Sequence, residues 1–246
     1  MTNFGTLYQD ARKGNWLDAV RAQHGPVEAY RWTVADHCAI APLLALPAVG
    51  ARVLDTACGG GARTFALAGV ARAVYITDPD PDAVRFVHTR ARQTDTHNIR
   101  PFLGAPEDAI RPGSLDLIVS ETADTTASLN RLVGVLAPGG TLCLGLANTC
   151  SMRNRSTRTP GIRYNRLKAL MGCASLCNPR IYMAFPNHLD VRLLLDATDR
   201  KSPARFLKTH IPGMPEHLPG MWASVLLRLL NLFIAPGYWA IAHRKI

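Results

Sequence analysis

The chain has 246 residues, of which 48% are hydrophobic and 19% charged, enough for one sizeable soluble core and an appended subdomain. Neither the opening residues, MTNFGTLYQDARKGNW, nor any later stretch offers the apolar run of a signal peptide or a spanning helix of about 18 residues, so a cytoplasmic address is expected. The formal charge of +10 is uneven: residues 1–150 carry 13 Lys or Arg against 14 Asp or Glu, whereas residues 151–246 carry 15 against 4, which places in the C-terminal part the field of one sign that attracts phosphorylated small molecules, lipid headgroups or nucleic acid.

In chain order, residues 5–47 read as helical, with VADHCAIAPLLAL leading into Pro47, and resemble a lid. From residue 52 short β-rich runs alternate with helical patterns, as in βαβ units around a parallel sheet. The predicted strands are 52–56, 73–77, 99–103, 115–120 and 141–147. The intervening helices are ARTFALAGVA, PDAVRFVHTRAR, a short turn at PEDAI, and TASLNRLVGVLA, which the Pro-Gly-Gly turn at 138–140 closes. Beyond them, residues 148–168 gather Arg153, Arg155, Arg158, Arg163, Arg166 and Lys168 without an acid. A strand is predicted over 180–185, helices over 188–197 and 221–233, and a last strand over 237–245. The six cysteines, at positions 38, 58, 143, 150, 173 and 177, form neither a paired framework nor close C-x2-C doublets, so reduced, mostly buried thiols and no metal site are expected.

The most informative stretch is VLDTACGGG at 53–61, an apolar strand that ends in an acid and passes into a glycine turn before a helix. Glycines allow a tight turn and close backbone approach to a ligand. The next strand, AVYITD, delivers a second acid, Asp78, 17 residues after Gly61, where a carboxylate accepts hydrogen bonds from ribose hydroxyls. Contiguous glycines, in place of G-x-G-x-x-G, argue against a nicotinamide dehydrogenase.

From Val53 to Leu144 the chain resembles the class I S-adenosylmethionine-dependent methyltransferases, whose first motif reads approximately VLDxGxGxG. The resemblance implies an α/β, Rossmann-like fold: a seven-stranded, mostly parallel sheet with helices on both faces and an N-terminal helical lid. It divides the chain into a lid (1–50), a cofactor-binding core (51–147), and a C-terminal part of the same domain with a substrate-side insertion and the last strands (148–246). It implies S-adenosyl-L-methionine as cofactor. Carried over by position, Gly59, Gly60 and Gly61 form the loop, with Ala57 in place of the first glycine, and Asp55 supports it. Asp78 holds the ribose. Ala105, Pro106 and Glu107 border the adenine, Pro106 having no N–H to offer, and Pro79 and Ser120 complete the set.

Methyl transfer is an in-line displacement at an activated sulfonium, so holding the acceptor in place supplies much of the acceleration. An acceptor of high pKa gains from a general base. His37 before the first strand, Glu121 after the fourth and His188 after the sixth are the candidates, each set against an ordinary structural role. For Glu121 that role is a helix-entry or cofactor-edge carboxylate, and for His188 a first helical turn behind an Asn187 cap. The expected partner is a small-molecule acceptor, with peripheral membrane contact open through the basic and apolar C-terminal third. RNA is the competing acceptor, although arginines and aromatics do not interleave. A methyltransferase-like fold kept as a non-catalytic binding module is the third reading.

Overall fold

The computed structural model describes residues 2–33, 39–151, 154, 161–173, 175–197, 199 and 235–246. Its N-terminal helices are short, and the first two carry side-chain caps. The Asn3 side chain accepts from the Thr6 amide at the start of α1 (Phe4–Lys13), and Asn15 accepts from Leu17 N at the start of α2 (Trp16–His24). These caps satisfy amide donors that the first turn leaves free. Two more helices follow, α3 (Pro26–Thr33) and α4 (Ile40–Ala45). Leu7 and Ala11 of α1 are fully buried, and Phe4 meets Phe86 with ring centroids 6.4 Å apart.

The sheet is built from β1 (Arg52–Asp55), β2 (Ala73–Ile76), β3 (Ile99–Pro101), β4 (Leu115–Ser120), β5 (Leu136–Ala147), β6 (Leu176–Pro186), β7 (Val191–Asp196) and β8 (Gly237–Arg244). Helices α5 (Ala62–Ala68), α6 (Pro81–Gln93), α7 (Pro106–Ala109), α8 (Thr126–Val135) and α9 (Tyr164–Cys173) complete the described elements. The strand order is β3-β2-β1-β4-β5-β8-β6-β7. The first five strands pair in parallel, and β8, β6 and β7 add three antiparallel pairings. Val53, Leu54, Leu117, Ile118, Leu142 and Leu144 have no exposed surface, because a central parallel strand is covered on both faces and favours unbroken apolar sequence. One cluster of buried side chains includes α8 and α9, and the other includes α1, α2 and α6.

Two features of this topology place the functional site. First, β1 has β2 on one side and β4 on the other, so the chain order reverses there and a crevice opens beyond the carboxyl ends of β1 and β4. Second, β6 runs antiparallel to β8, which runs antiparallel to β5. The turn that ends β6 therefore returns residues 187–190 to the same edge of the sheet.

The structure corrects two expectations. The sheet has eight strands where seven are expected, because residues inside the predicted helix 188–197 form β7, which pairs with β6 from Tyr182↔Asp196 to Pro186↔Val191. The Asn187 cap itself is present: its Oδ1 accepts from Leu189 N at 2.8 Å and Asp190 N at 2.7 Å. It closes a turn into a strand, since pairing with β6 satisfies the backbone that a helix would have satisfied internally. The predicted helix 221–233 lies outside the described residues, as do Arg153, Arg155 and Arg158 of the basic segment. Among the described residues no helix is long and apolar enough to cross a membrane, and no cluster of His, Cys, Asp or Glu has the form of a metal site.

Candidate active site

At the end of β1 the chain turns through Thr56, Ala57 and Cys58 into the glycine loop. Gly59 and Gly61 have φ of 48° and 85°, a region that side chains with a Cβ rarely enter. Gly60 is needed for a different reason: a Cβ there would overlap the ring of Trp32 from α3, which packs against the loop. Arg90 of α6 fixes this contact, donating from Nη1 to Gly60 O and from Nη2 to Trp32 O, both at 2.9 Å.

Asp78, just past β2, accepts from Gly59 N at 2.9 Å and from Asp80 N at 2.9 Å. The N-cap of α6 is Asp80, whose side chain accepts from Asp82 N, so Asp78 is free of helix capping and faces the loop. Burial raises its carboxyl above the ordinary value, against the two amide donors. A carboxylate has about four lone-pair sites, and the two amides leave the others for further donors. Asp78 borders a cavity of about 440 Å³, formed by Thr56 of the loop, Thr77, Pro79 and Pro81 around β2, Leu103, Gly104, Ala105 and Pro106 after β3, Thr122 and Ala123 after β4, and α8.

Beside this cavity lies a buried cluster of charge. Asp55 is 0% exposed, and its carboxylate accepts from Arg63 Nη2 at 2.7 Å and from Thr64 Oγ1 at 2.9 Å. Arg63 enters from the first turn of α5, donates also to Ala57 O at 2.9 Å, and pairs through Nη1 with Glu121. Burial alone would lower the Arg63 pKa, but the Asp55 and Glu121 carboxylates outweigh it and hold the guanidinium firmly charged. Burial pushes the Glu121 carboxyl up, opposed by the Arg63 cation. The Arg63 Nε is buried with no partner among the described residues. Its guanidinium carbon lies 5.9 Å from the Trp239 ring, and Trp239 Nε1 donates to His188 O at 3.0 Å.

His188 completes the edge. Burial, and then the Arg63 cation, lower its pKa to about 4, so the ring is neutral near neutral pH. Nδ1 is enclosed against Gly237, without a partner among the described residues.

Residues 53–140 match the family model described as a methyltransferase domain. Over residues 53–140 the chain is therefore similar to methyltransferase domains. Over 145 residues, 56% of its length, the chain is 31% identical to a ubiquinone biosynthesis O-methyltransferase of Xanthomonas campestris pv. campestris, and it spans 58% of that relative. Two solved structures share the fold. A phosphoethanolamine N-methyltransferase 2 of Haemonchus contortus, in complex with S-adenosyl-L-methionine, matches all of this chain over 61% of its own length at TM-score 0.59 and 11% identity. An S-adenosylmethionine-dependent methyltransferase of Thermotoga maritima matches 89% of this chain over 95% of its own at TM-score 0.52 and 14% identity.

Within residues 53–140, Asp78, Pro79, Ala105 and Pro106 all border the one cavity, and Glu107 lies in α7 beside it. Ser120 accepts from Thr56 Oγ1 at 2.9 Å, stitching β1 to β4 beneath the crevice. Asp55 and Ala57 sit one layer deeper and hold Arg63. The residues fit the cofactor on its nucleoside side: a carboxylate with spare acceptors stands next to the apolar walls of Leu103, Ala105 and Pro106. Of the three candidate bases, Glu121 is committed to Arg63, His188 is neutral, and His37 lies outside the described residues. Sequence reasoning missed Arg63, Trp32, Arg90 and Trp239. A charged residue in the first turn of a largely apolar helix was the one signal for Arg63.

Proposed function

We propose that this chain transfers the methyl group of S-adenosyl-L-methionine to an oxygen or nitrogen of a small-molecule acceptor. The observation that carries the reading is the Asp78-lined cavity opening at the switch point beside the buried Asp55–Arg63–Glu121 cluster and a neutral histidine. The cofactor supplies an activated methyl on a sulfonium. Asp78 accepts the ribose hydroxyls, Ala105, Pro106 and Glu107 border the adenine, and the loop at Gly59, Gly60 and Gly61 carries the amino-acid end, with α3 as a lid through Trp32. Arg63 holds Glu121 and Asp55 in place from below, so that Glu121 acts as a fixed countercharge and not as the base.

His188 Nε2 takes the proton released by the acceptor. A ring with a pKa of about 4 is too weak to deprotonate a free hydroxyl beforehand, but a hydroxyl oxygen becomes strongly acidic as it gains the methyl group, whereas an amine nitrogen would release its proton to solvent. Proton loss to His188 then accompanies or follows bond formation. The acceptor carries an anionic group in this reading, supported by 15 basic against 4 acidic residues over 151–246.

Transfer of tritiated methyl to small-molecule, lipid and total RNA fractions tests the proposal. Label is expected in anionic small molecules and is lost in Asp78→Asn. Label in RNA would move the acceptor class, and no transfer to any fraction would leave the chain a binding module and overturn the reading.

A further inference from the structure

A second concave site lies away from the crevice, between the outer faces of α1 and α6. Arg85, His88 and Arg92 fall at i, i+3 and i+7 on α6, so they share one face of that helix. Tyr8 and Arg12, four residues apart on α1, face them. Together with Thr89 and Gln93 they enclose a groove of about 460 Å³ whose lining contains no carboxylate. That volume is within the range of small-molecule sites.

The groove is held open by built contacts. Gln93 Nε2 donates to Ala11 O at 2.8 Å and Gly14 O at 2.9 Å, while its Oε1 accepts from Trp16 N at 2.8 Å. One side chain thereby locks α6 to the end of α1 and the start of α2. The cations are only partly compensated: Arg85 pairs with Asp82 at 2.7 Å and Arg12 lies 5.6 Å from the Tyr8 ring centroid. Arg12 and Arg92 have no ion pair with an acid among the described residues. This concentration is not a by-product of general basicity, since residues 1–150 carry 13 basic against 14 acidic residues.

We propose that this groove binds a small multivalent oxyanion of the phosphate class, separately from the methyl-transfer cavity. Arginines from two helices line one concavity, and guanidinium groups recognise a planar or tetrahedral oxyanion through paired hydrogen bonds. Two or more anionic groups are needed to engage Arg12 on one wall and Arg92 on the other together. The concave form favours a small molecule over an extended strand or a bilayer.

Titration calorimetry of the full chain with sodium pyrophosphate at low ionic strength tests the inference, with inorganic phosphate as the single-anion comparison. One saturable site is expected, with phosphate weaker by about ten-fold for want of the second anion. The exposed double substitution Arg12→Gln/Arg92→Gln should weaken pyrophosphate by at least about ten-fold, while Asp78→Asn leaves it unchanged. Arg21→Gln/Arg31→Gln, which removes the same charge from other exposed helix positions, should also leave it unchanged. Absence of saturable binding, equal affinity in Arg12→Gln/Arg92→Gln, or loss in Asp78→Asn would overturn the proposal. Equal weakening by the Arg21/Arg31 pair would reduce the effect to net charge and overturn it as well.

Discussion

Replacing Arg63 by Met removes the cation that pairs with two buried carboxylates. The Asp55 side chain is 0% and that of Glu121 15% exposed, and the Arg63 side chain itself is 8% exposed, so solvent takes over little of the lost partnership. Removing one partner from a buried ion pair costs about 3–5 kcal/mol, which for a chain of this size corresponds to a fall in Tm of about 6–20 °C. The loss should depend on pH. Without the guanidinium, burial and the Asp55 charge hold the folded-state pKa of Glu121 above its unfolded value unopposed. Protonation then favours the folded state, and the deficit shrinks as pH falls and grows as pH rises through the raised pKa. Urea unfolding followed by tryptophan fluorescence at about pH 7 and about pH 5 reads both effects. Adding Glu121→Gln to Arg63→Met should recover part of the loss at the higher pH. A deficit under about 1 kcal/mol, or one that does not change with pH, would refute the argument that this cluster is a buried charge unit.

Three other outcomes are expected. Asp78→Asn should weaken S-adenosylhomocysteine binding about 10- to 150-fold, the equivalent of one charge-assisted hydrogen bond, with an unchanged circular dichroism spectrum; calorimetry measures it. His188→Ala should lower kcat about 10²- to 10⁴-fold with little change in cofactor affinity. For the wild type, a ring with a pKa near about 4 predicts a rate that is flat through neutral pH and falls only as pH approaches that value, where His188 becomes charged. Gly60→Ala forces a methyl into the Trp32 ring and should cost about 1–3 kcal/mol; thermal melts should show part of that cost recovered when Trp32→Ala is added.

The legible part of this molecule was the part whose reasons are local. Strands β1, β4 and β5 announce themselves because burial on both faces demands unbroken apolar runs such as Val53–Leu54 and Leu117–Ile118. The glycine loop and Asp78 were legible because a special backbone and an acid at a strand end leave a spacing in the sequence. Strand β7 was not. VRLLLD lacks the alternation of a half-buried strand and follows an Asn that accepts like a helix cap, and only its pairing with β6, a nonlocal fact, makes it a strand. Glu121 was legible as a carboxylate at the productive edge, yet its partner was not, since nothing local shows that Arg63 turns inward. His188 was placed correctly after the sixth strand, but its neutral state depends on burial and on Arg63, which arrive from different elements.

The central claim is that Asp78 and the glycine loop form a site for S-adenosylmethionine. Titration of the wild-type chain with S-adenosyl-L-methionine tests it most directly. One saturable site is predicted, and the absence of saturable binding by the wild type would contradict the account.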